Sequence, residues 1–190
     1  MGSSPHKRMH VGWDLDDVTT NLTEELIRLY TGRTGKAAAL EDVGDWGFFP
    51  PEIHREMISS GYPRLKLKKG SLRALARLKD AGDRVSIITY RSPDCREETS
   101  AWLEKNIPGL YDGLYMTGGS KAGVCSRIGV DVLVDDSGRQ AVEVSREGIH
   151  VILFSTPMNR EIEESGYILR AEGHEEVSKR IEILRRELRG

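Results

Sequence analysis

Four polar groups stand at the ends of apolar runs: Asp14-Leu15-Asp16-Asp17, Thr89-Tyr90-Arg91, Ser120-Lys121 and Asp135-Asp136. Carboxylates are hard oxygen donors, so Asp14, Asp16, Asp135 and Asp136 could together hold a divalent cation. The Thr89 hydroxyl and the Lys121 ammonium could take the oxygens of a phosphate group. Arg91 could fork a phosphate or ribose oxygen, or pair with a carboxylate. Asp14 and Asp16 stand two residues apart, and in an extended segment such side chains point the same way, so both could serve one ligand. Singly, each residue has an ordinary reading as a turn or helix cap, a strand-forming threonine or a solvated lysine. Their order and their common placement behind strands carry the inference.

Positioning these groups at one rim requires a parallel sheet, whose ligands bind beyond the carboxyl ends of its strands. The second half of the sequence alternates strand and helix periods. Short apolar or β-branched runs at Arg84–Tyr90, Gly113–Thr117, Val130–Val134 and His150–Phe154 are separated by helical stretches at 94–106, 121–128 and 138–147. Met9, Val11 and Trp13 alternate with His10 and Gly12 in a first strand, and Leu22, Leu26 and Leu29 mark a helix ended by Gly32 and Gly35. The expected fold class is α/β: a Rossmann-like parallel sheet flanked by helices, built from 9–31 and 71–190, with a small, mainly helical cap, 32–70, inserted after the first strand. Residues 1–8 are expected to be a disordered leader, and Val177, Ile181, Leu184 and Leu188 predict a packing helix at the other end.

At 190 residues with 28 Lys+Arg against 30 Asp+Glu, the sequence excludes a disulfide-stapled miniprotein, a polybasic membrane binder and a generic nucleic-acid coat. Its two cysteines, Cys95 and Cys125, have no metal-ligand spacing, and no apolar run reaches the ~18–20 residues that span a bilayer. The expectation is a reduced, soluble, cytoplasmic protein. Trp46, Phe48, Phe49 and Tyr62 concentrate aromatic rings in the inserted segment, where they either stack on a bound base or form a miniature core that anchors the cap. The basic residues Arg64, Lys66, Lys68 and Lys69 either attract an anion or are a solvated face. His10, His54, His150 and Cys95 lack partners at ligand spacing and are read as structural.

The set Asp14-Leu15-Asp16-Asp17-Val18, Thr89, Lys121 and Asp135-Asp136 resembles the four ordered motifs of the haloacid dehalogenase superfamily of phosphatases and phosphotransferases. Trp46-Gly47-Phe48-Phe49 in the cap and Phe154-Ser155-Thr156-Pro157-Met158-Asn159-Arg160 after the last strand make the sequence most similar to the 5′(3′)-deoxyribonucleotidase family. Two positions depart from that pattern: Asp17 stands where many such nucleotidases have glycine, and Tyr90-Arg91 follows Thr89 where a small residue is common. The resemblance implies that Asp14 attacks phosphorus to form an aspartyl-phosphate, kept ionised by Lys121, and that Asp16 protonates the leaving oxygen and later activates water. It implies phosphate binding by Thr89, Tyr90, Arg91 and Lys121, and Mg²⁺ bound by Asp14, the Asp16 carbonyl and Asp135 or Asp136. The substrate it implies is a nucleoside monophosphate. A second resemblance, of Thr89–Arg96 and Thr99–Leu103 to the phosphatase domain of polynucleotide kinases, makes a nucleic-acid 3′-phosphate end the alternative, although no kinase P-loop is present. A non-catalytic nucleotide- or protein-binding scaffold is the reading from another class.

Overall fold

The computed structural model describes residues 8–188, so the expected leader lies, apart from Arg8, outside the described residues. Six parallel strands form one sheet in the order β3-β2-β1-β4-β5-β6. They are β1 (His10–Trp13), β2 (Arg84–Thr89), β3 (Gly113–Met116), β4 (Val132–Asp135), β5 (His150–Phe154) and β6 (Ile168–Ala171). The helices are α1 (Leu22–Thr34), α2 (Pro51–Glu56), α3 (Ser71–Asp80), α4 (Arg96–Asn106), α5 (Ala122–Ile128), α6 (Gly138–Ser145) and α7 (His174–Glu187).

Alternation along each strand divides the core in two. Val11, Trp13, Val85, Ile87, Val132 and Val134 face one layer with side chains of α3, α4 and α7, whereas Ile88, Leu133, Val151 and Leu153 face the other with Cys125 of α5 and Val144 of α6. Both faces of β1 are therefore buried, including its two weakly apolar positions. His10 satisfies its ring against Ser86 Oγ at 2.8 Å and the Ile128 and Gly129 carbonyls at 3.0 and 3.1 Å. Gly12 leaves room for its neighbours: a Cβ there would lie 2.9 Å from Ile88 Cδ1 and 3.0 Å from Leu133 Cδ1.

Three differences from the sequence reading have local causes. Helix α1 runs through Gly32 and stops at Gly35, whose φ of 69° closes it in the left-handed conformation. Strand β4 runs Val132–Asp135 rather than Val130–Val134, so Asp135 lies in the strand itself, paired with Leu153. Strand β6 was not expected, because only Ile168 and Ala171 of its four residues are buried. It is a four-residue edge strand whose short apolar run is interrupted by Arg170.

Between β1 and α3 the backbone leaves the sheet and returns through two adjacent crossings. Thr20 bridges Leu67, the Lys68 N–H donates to the Thr19 carbonyl at 2.8 Å, and the Asn21 N–H donates to the Lys66 carbonyl at 3.1 Å. This excursion holds α1, α2 and several single helical turns, and it arches toward the carboxyl end of the sheet, where β1 separates β2 from β4.

Candidate active site

The site is built on the turn that follows β1. The Asp14 N–H donates to the Val134 carbonyl at 2.9 Å, continuing the pairing with β4 one residue past the strand. Thr19 fastens the turn from beneath, its hydroxyl donating to the Asp14 carbonyl at 2.7 Å and accepting from Trp13 Nε1 at 2.9 Å. Asp17 has a φ of 56°, in the region that favours glycine. Its side chain offsets that strain: it accepts from the Thr23 N–H at 3.0 Å and from the Thr23 hydroxyl, capping the start of α1.

Side chains from β1, β4 and the start of α5 converge above this turn. The Lys121 ammonium lies 2.6 Å from Asp14 Oδ1 and 2.6 Å from Asp135 Oδ2, with its side chain 1% exposed. Asp135 Oδ1 accepts the Ser137 N–H at 2.8 Å, and the Lys121 N–H donates to Gln140 Oε1 at 2.8 Å. Oxygen atoms of Asp14, Asp135 and Asp136 all lie within 4.8 Å of one another. Thr89 is fully buried at the end of β2, its hydroxyl accepting the Arg91 N–H at 3.3 Å.

The electrostatics of this cluster are unbalanced. Burial is the largest influence on Asp14 and outweighs the opposing pull of Lys121; with Asp135 and Asp16 adding repulsion, the Asp14 carboxyl is pushed up to about 8. Lys121 thus pulls Asp14 toward its ionised form while burial and the neighbouring carboxylates oppose it. Burial and the neighbouring Asp17, Asp14 and Asp135 also hold the Asp136 carboxyl well above the usual range. For Lys121, burial disfavours the charge, but Asp135 and Asp14 prevail and raise its pKa. Asp14 Oδ1 is met by the Lys121 ammonium at 2.6 Å, which Asp14 shares with Asp135. Three clustered carboxylates against one ammonium suit a hard divalent cation.

Asp16 is engaged differently. Arg91 forks it, Nε to Oδ2 at 2.8 Å and Nη2 to Oδ1 at 2.6 Å, while the Thr20 hydroxyl donates to Oδ1 at 3.2 Å. Of the two roles open to Arg91, the structure contains the pairing with a carboxylate. Tyr90 is 50% exposed and has the Arg139 guanidinium 5.4 Å from its ring centroid.

A cavity of about 720 Å³ opens over these groups. Trp46 and Tyr62 reach it from the excursion, Tyr90 and Arg139 from the core, and Met158 and Ile162 from the segment after β5. The aromatic cluster divides. Trp46 is 45% exposed and stacked on His54, whereas Phe49 is buried and packs edge-on against Phe48, with Tyr30 beside both. Phe48 and Phe49 are thus among the residues that anchor the excursion and do not line the cavity. In the basic run, Arg64 pairs with Glu25 at 3.2 Å and Lys68 approaches Asp17 at 3.9 Å.

Sequence reasoning missed the supports. Gln140 holds the backbone of Lys121, and Asn159, from the segment quoted for the family resemblance, donates through Nδ2 to the Asp136 carbonyl at 2.7 Å. Neither carried a signal in the sequence, which does not distinguish a buried glutamine or asparagine from an exposed one.

Among solved structures, the fold is similar to a haloacid dehalogenase-like family hydrolase from Streptococcus pneumoniae, with a TM-score of 0.68 and 14% identity over 92% of this chain and 98% of that one. It is also similar to CbbY from Rhodobacter sphaeroides in complex with phosphate, with a TM-score of 0.62 and 15% identity over 90% and 96% of the two chains. Together these establish a haloacid dehalogenase-like fold. A curated protein of Chlorobaculum tepidum named "Putative 5'(3')-deoxyribonucleotidase" is 24% identical over 134 residues, 64% of this chain and 63% of that protein, less than two thirds of its length. The family model described as "5' nucleotidase, deoxy (Pyrimidine), cytosolic type C protein" matches residues 8–188. A match across nearly the whole sequence, on a fold whose strand ends gather Asp14, Lys121, Asp135 and Asp136, places the chain in this deoxynucleotidase family.

Proposed function

We propose that the protein is a Mg²⁺-dependent phosphomonoester hydrolase that removes the 5′-phosphate of nucleoside monophosphates, deoxynucleotides among them, through an aspartyl-phosphate intermediate. The observation that carries this reading is the buried Asp14–Lys121–Asp135 cluster, with Asp136 beside it, beneath a cavity large enough for a nucleotide. Family membership supports the substrate class, and the absence of any helix long and apolar enough to cross a membrane, among the described residues, is compatible with a cytoplasmic setting.

In this mechanism an Asp14 oxygen attacks phosphorus, the ester bond breaks, and Asp16 delivers a proton to the leaving oxygen. Water, deprotonated by Asp16, then hydrolyses the aspartyl-phosphate. Mg²⁺ held by Asp14, Asp135, Asp136 and the Asp16 carbonyl would neutralise the repulsion between carboxylate and phosphate dianion. Lys121 and Thr89 hold phosphate oxygens from the core side. Trp46, the exposed ring of the excursion at the cavity, is the candidate for stacking on the base.

The test is phosphate release, with Mg²⁺ and with chelator, across 5′- and 3′-nucleoside monophosphates, a 3′-phosphorylated oligonucleotide, sugar phosphates and p-nitrophenyl phosphate. A Mg²⁺-dependent preference for 5′-mononucleotides, lost in Asp14→Asn, is expected. Preference for the oligonucleotide end or silence on every ester would overturn the reading, as would full activity of Asp14→Asn.

A further inference from the structure

Arg91 is a buried cation of the site that no step above uses, and its surroundings define what it can do. Its side chain is 1% exposed, and the guanidinium is committed on three sides. Two of its nitrogens fork both oxygens of Asp16, Nη1 donates to the Thr99 hydroxyl of α4 at 3.2 Å, and its central carbon lies 3.6 Å from the ring centroid of Tyr62. Tyr62 belongs to the excursion, whereas Arg91 and Thr99 belong to the core. A bidentate fork fixes the plane of a carboxylate as well as its distance, which a point charge cannot do. Cations are also divided among the carboxylates: Lys121 serves Asp14 and Asp135, Lys68 lies nearest Asp17, and Arg91 serves Asp16.

We propose that Arg91 is a positioning residue: it holds the Asp16 carboxyl in the plane from which it reaches the leaving-group oxygen, and Tyr62 couples that plane to the seat of the excursion over the site. Arg91 does not bind the substrate phosphate. The proposal rests on the acid role given to Asp16 above. Its consequence is a dependence on leaving group. An alkoxide leaving from a nucleotide needs its proton, whereas p-nitrophenolate leaves nearly unaided.

Arg91→Ala is therefore expected to lower kcat on a 5′-nucleoside monophosphate by about 10²-fold or more, the scale of general acid catalysis, and on p-nitrophenyl phosphate by less than about tenfold. Inhibition by inorganic phosphate should stay within about twofold, because no phosphate contact is lost. Arg91→Lys, which keeps charge but not the fork, should restore little. Asp16→Asn should show the same leaving-group pattern, and adding Arg91→Ala to it should cost no more. Thr99→Val and Tyr62→Leu leave Arg91 in place but loosen it, so they should reproduce the pattern at smaller size even if Arg91→Ala does not fold; Tyr62→Phe should not.

Equal losses on both substrates in Arg91→Ala would overturn the proposal, as would weakened phosphate inhibition, full rescue by lysine, or multiplicative losses in the double variant. The Asp16→Asn pattern without an Arg91 or Thr99 counterpart overturns the proposal alone. Equal losses on both substrates in Asp16→Asn overturn the acid assignment, and the proposal with it.

Discussion

Asn159 carries more of the site than its position after the last core strand suggests. It is buried, and its side chain makes four hydrogen bonds. Nδ2 donates to the Asp136 carbonyl at 2.7 Å and the Phe154 carbonyl at 2.8 Å, while Oδ1 accepts from the Thr156 N–H at 3.2 Å and Arg170 Nη2 at 2.8 Å. Arg170 Nη1 returns to the Asn159 and Ile162 carbonyls at 3.0 and 2.7 Å, so the two residues brace the backbone under Asp136. Asn159→Ala removes the donor from two carbonyls and the acceptor from two donors. With each net hydrogen bond contributing about 1 kcal/mol and orphaned buried groups costing more, we expect a loss of about 2–4 kcal/mol. Asn159→Asp should be worse than alanine, since a carboxylate oxygen would then face the two carbonyls that Nδ2 now satisfies. Urea unfolding of Asn159→Ala, Arg170→Ala and the double variant measures the losses and their coupling, which should be at least about 0.5 kcal/mol for groups in one network. An alanine variant within about 0.5 kcal/mol of the parent, or strictly additive losses, would refute the brace.

Two further outcomes concern the core side of the molecule. Asp83 and Arg185 form a buried bidentate pair at 2.9 and 2.5 Å, and Asp83 also accepts the Met9 N–H at 3.0 Å. Asp83→Ala should cost about 3–5 kcal/mol in urea unfolding by leaving the guanidinium buried without its partner. At temperatures where the variant is folded, its kcat should match the parent's, because the pair lies away from the cavity. His174 sits between the Val18 and Lys69 carbonyls, but burial outweighs both and lowers its pKa. Its folded pKa being below the unfolded value, the unfolded chain takes the proton first, and stability is lost as pH falls below about 6.5. Relative to His174→Phe, the parent should lose up to about 1.4 kcal/mol per pH unit in that window, read from urea midpoints; parallel curves would count against the assignment.

The parts of the fold legible in the sequence were those with an unmixed period. Strand β5, apolar after His150, emerged with its observed bounds. Strand β6 did not, because its four residues, Arg170 among them, make no run long enough to stand out. The aromatic group in the excursion was legible as a group but not in its division. The same composition in Trp46-Gly47-Phe48-Phe49 suits a stacking surface and an anchor, and only packing of Phe48 and Phe49 against Tyr30, with Trp46 left exposed at the cavity, divides the group.

At the site, what could be read were residue types whose chemistry needs no partner to be recognised: a carboxylate pair after a strand, a lysine at a helix start. What could not be read was the pairing among them. Arg91 stands 75 residues from Asp16 in sequence, so whether it meets a carboxylate or a phosphate depends on how β1 and β2 align. Their register sets His10 opposite Arg84 and Trp13 opposite Ile87, which carries the turns after both strands to the same rim. Once Asp16 and Arg91 share that rim, the short reach to Asp16 and the ring of Tyr62 on the other side leave the guanidinium one seat. The division of cations among carboxylates follows from strand register, and with it the separation of the carboxylate cluster around Asp14 from an independently held Asp16.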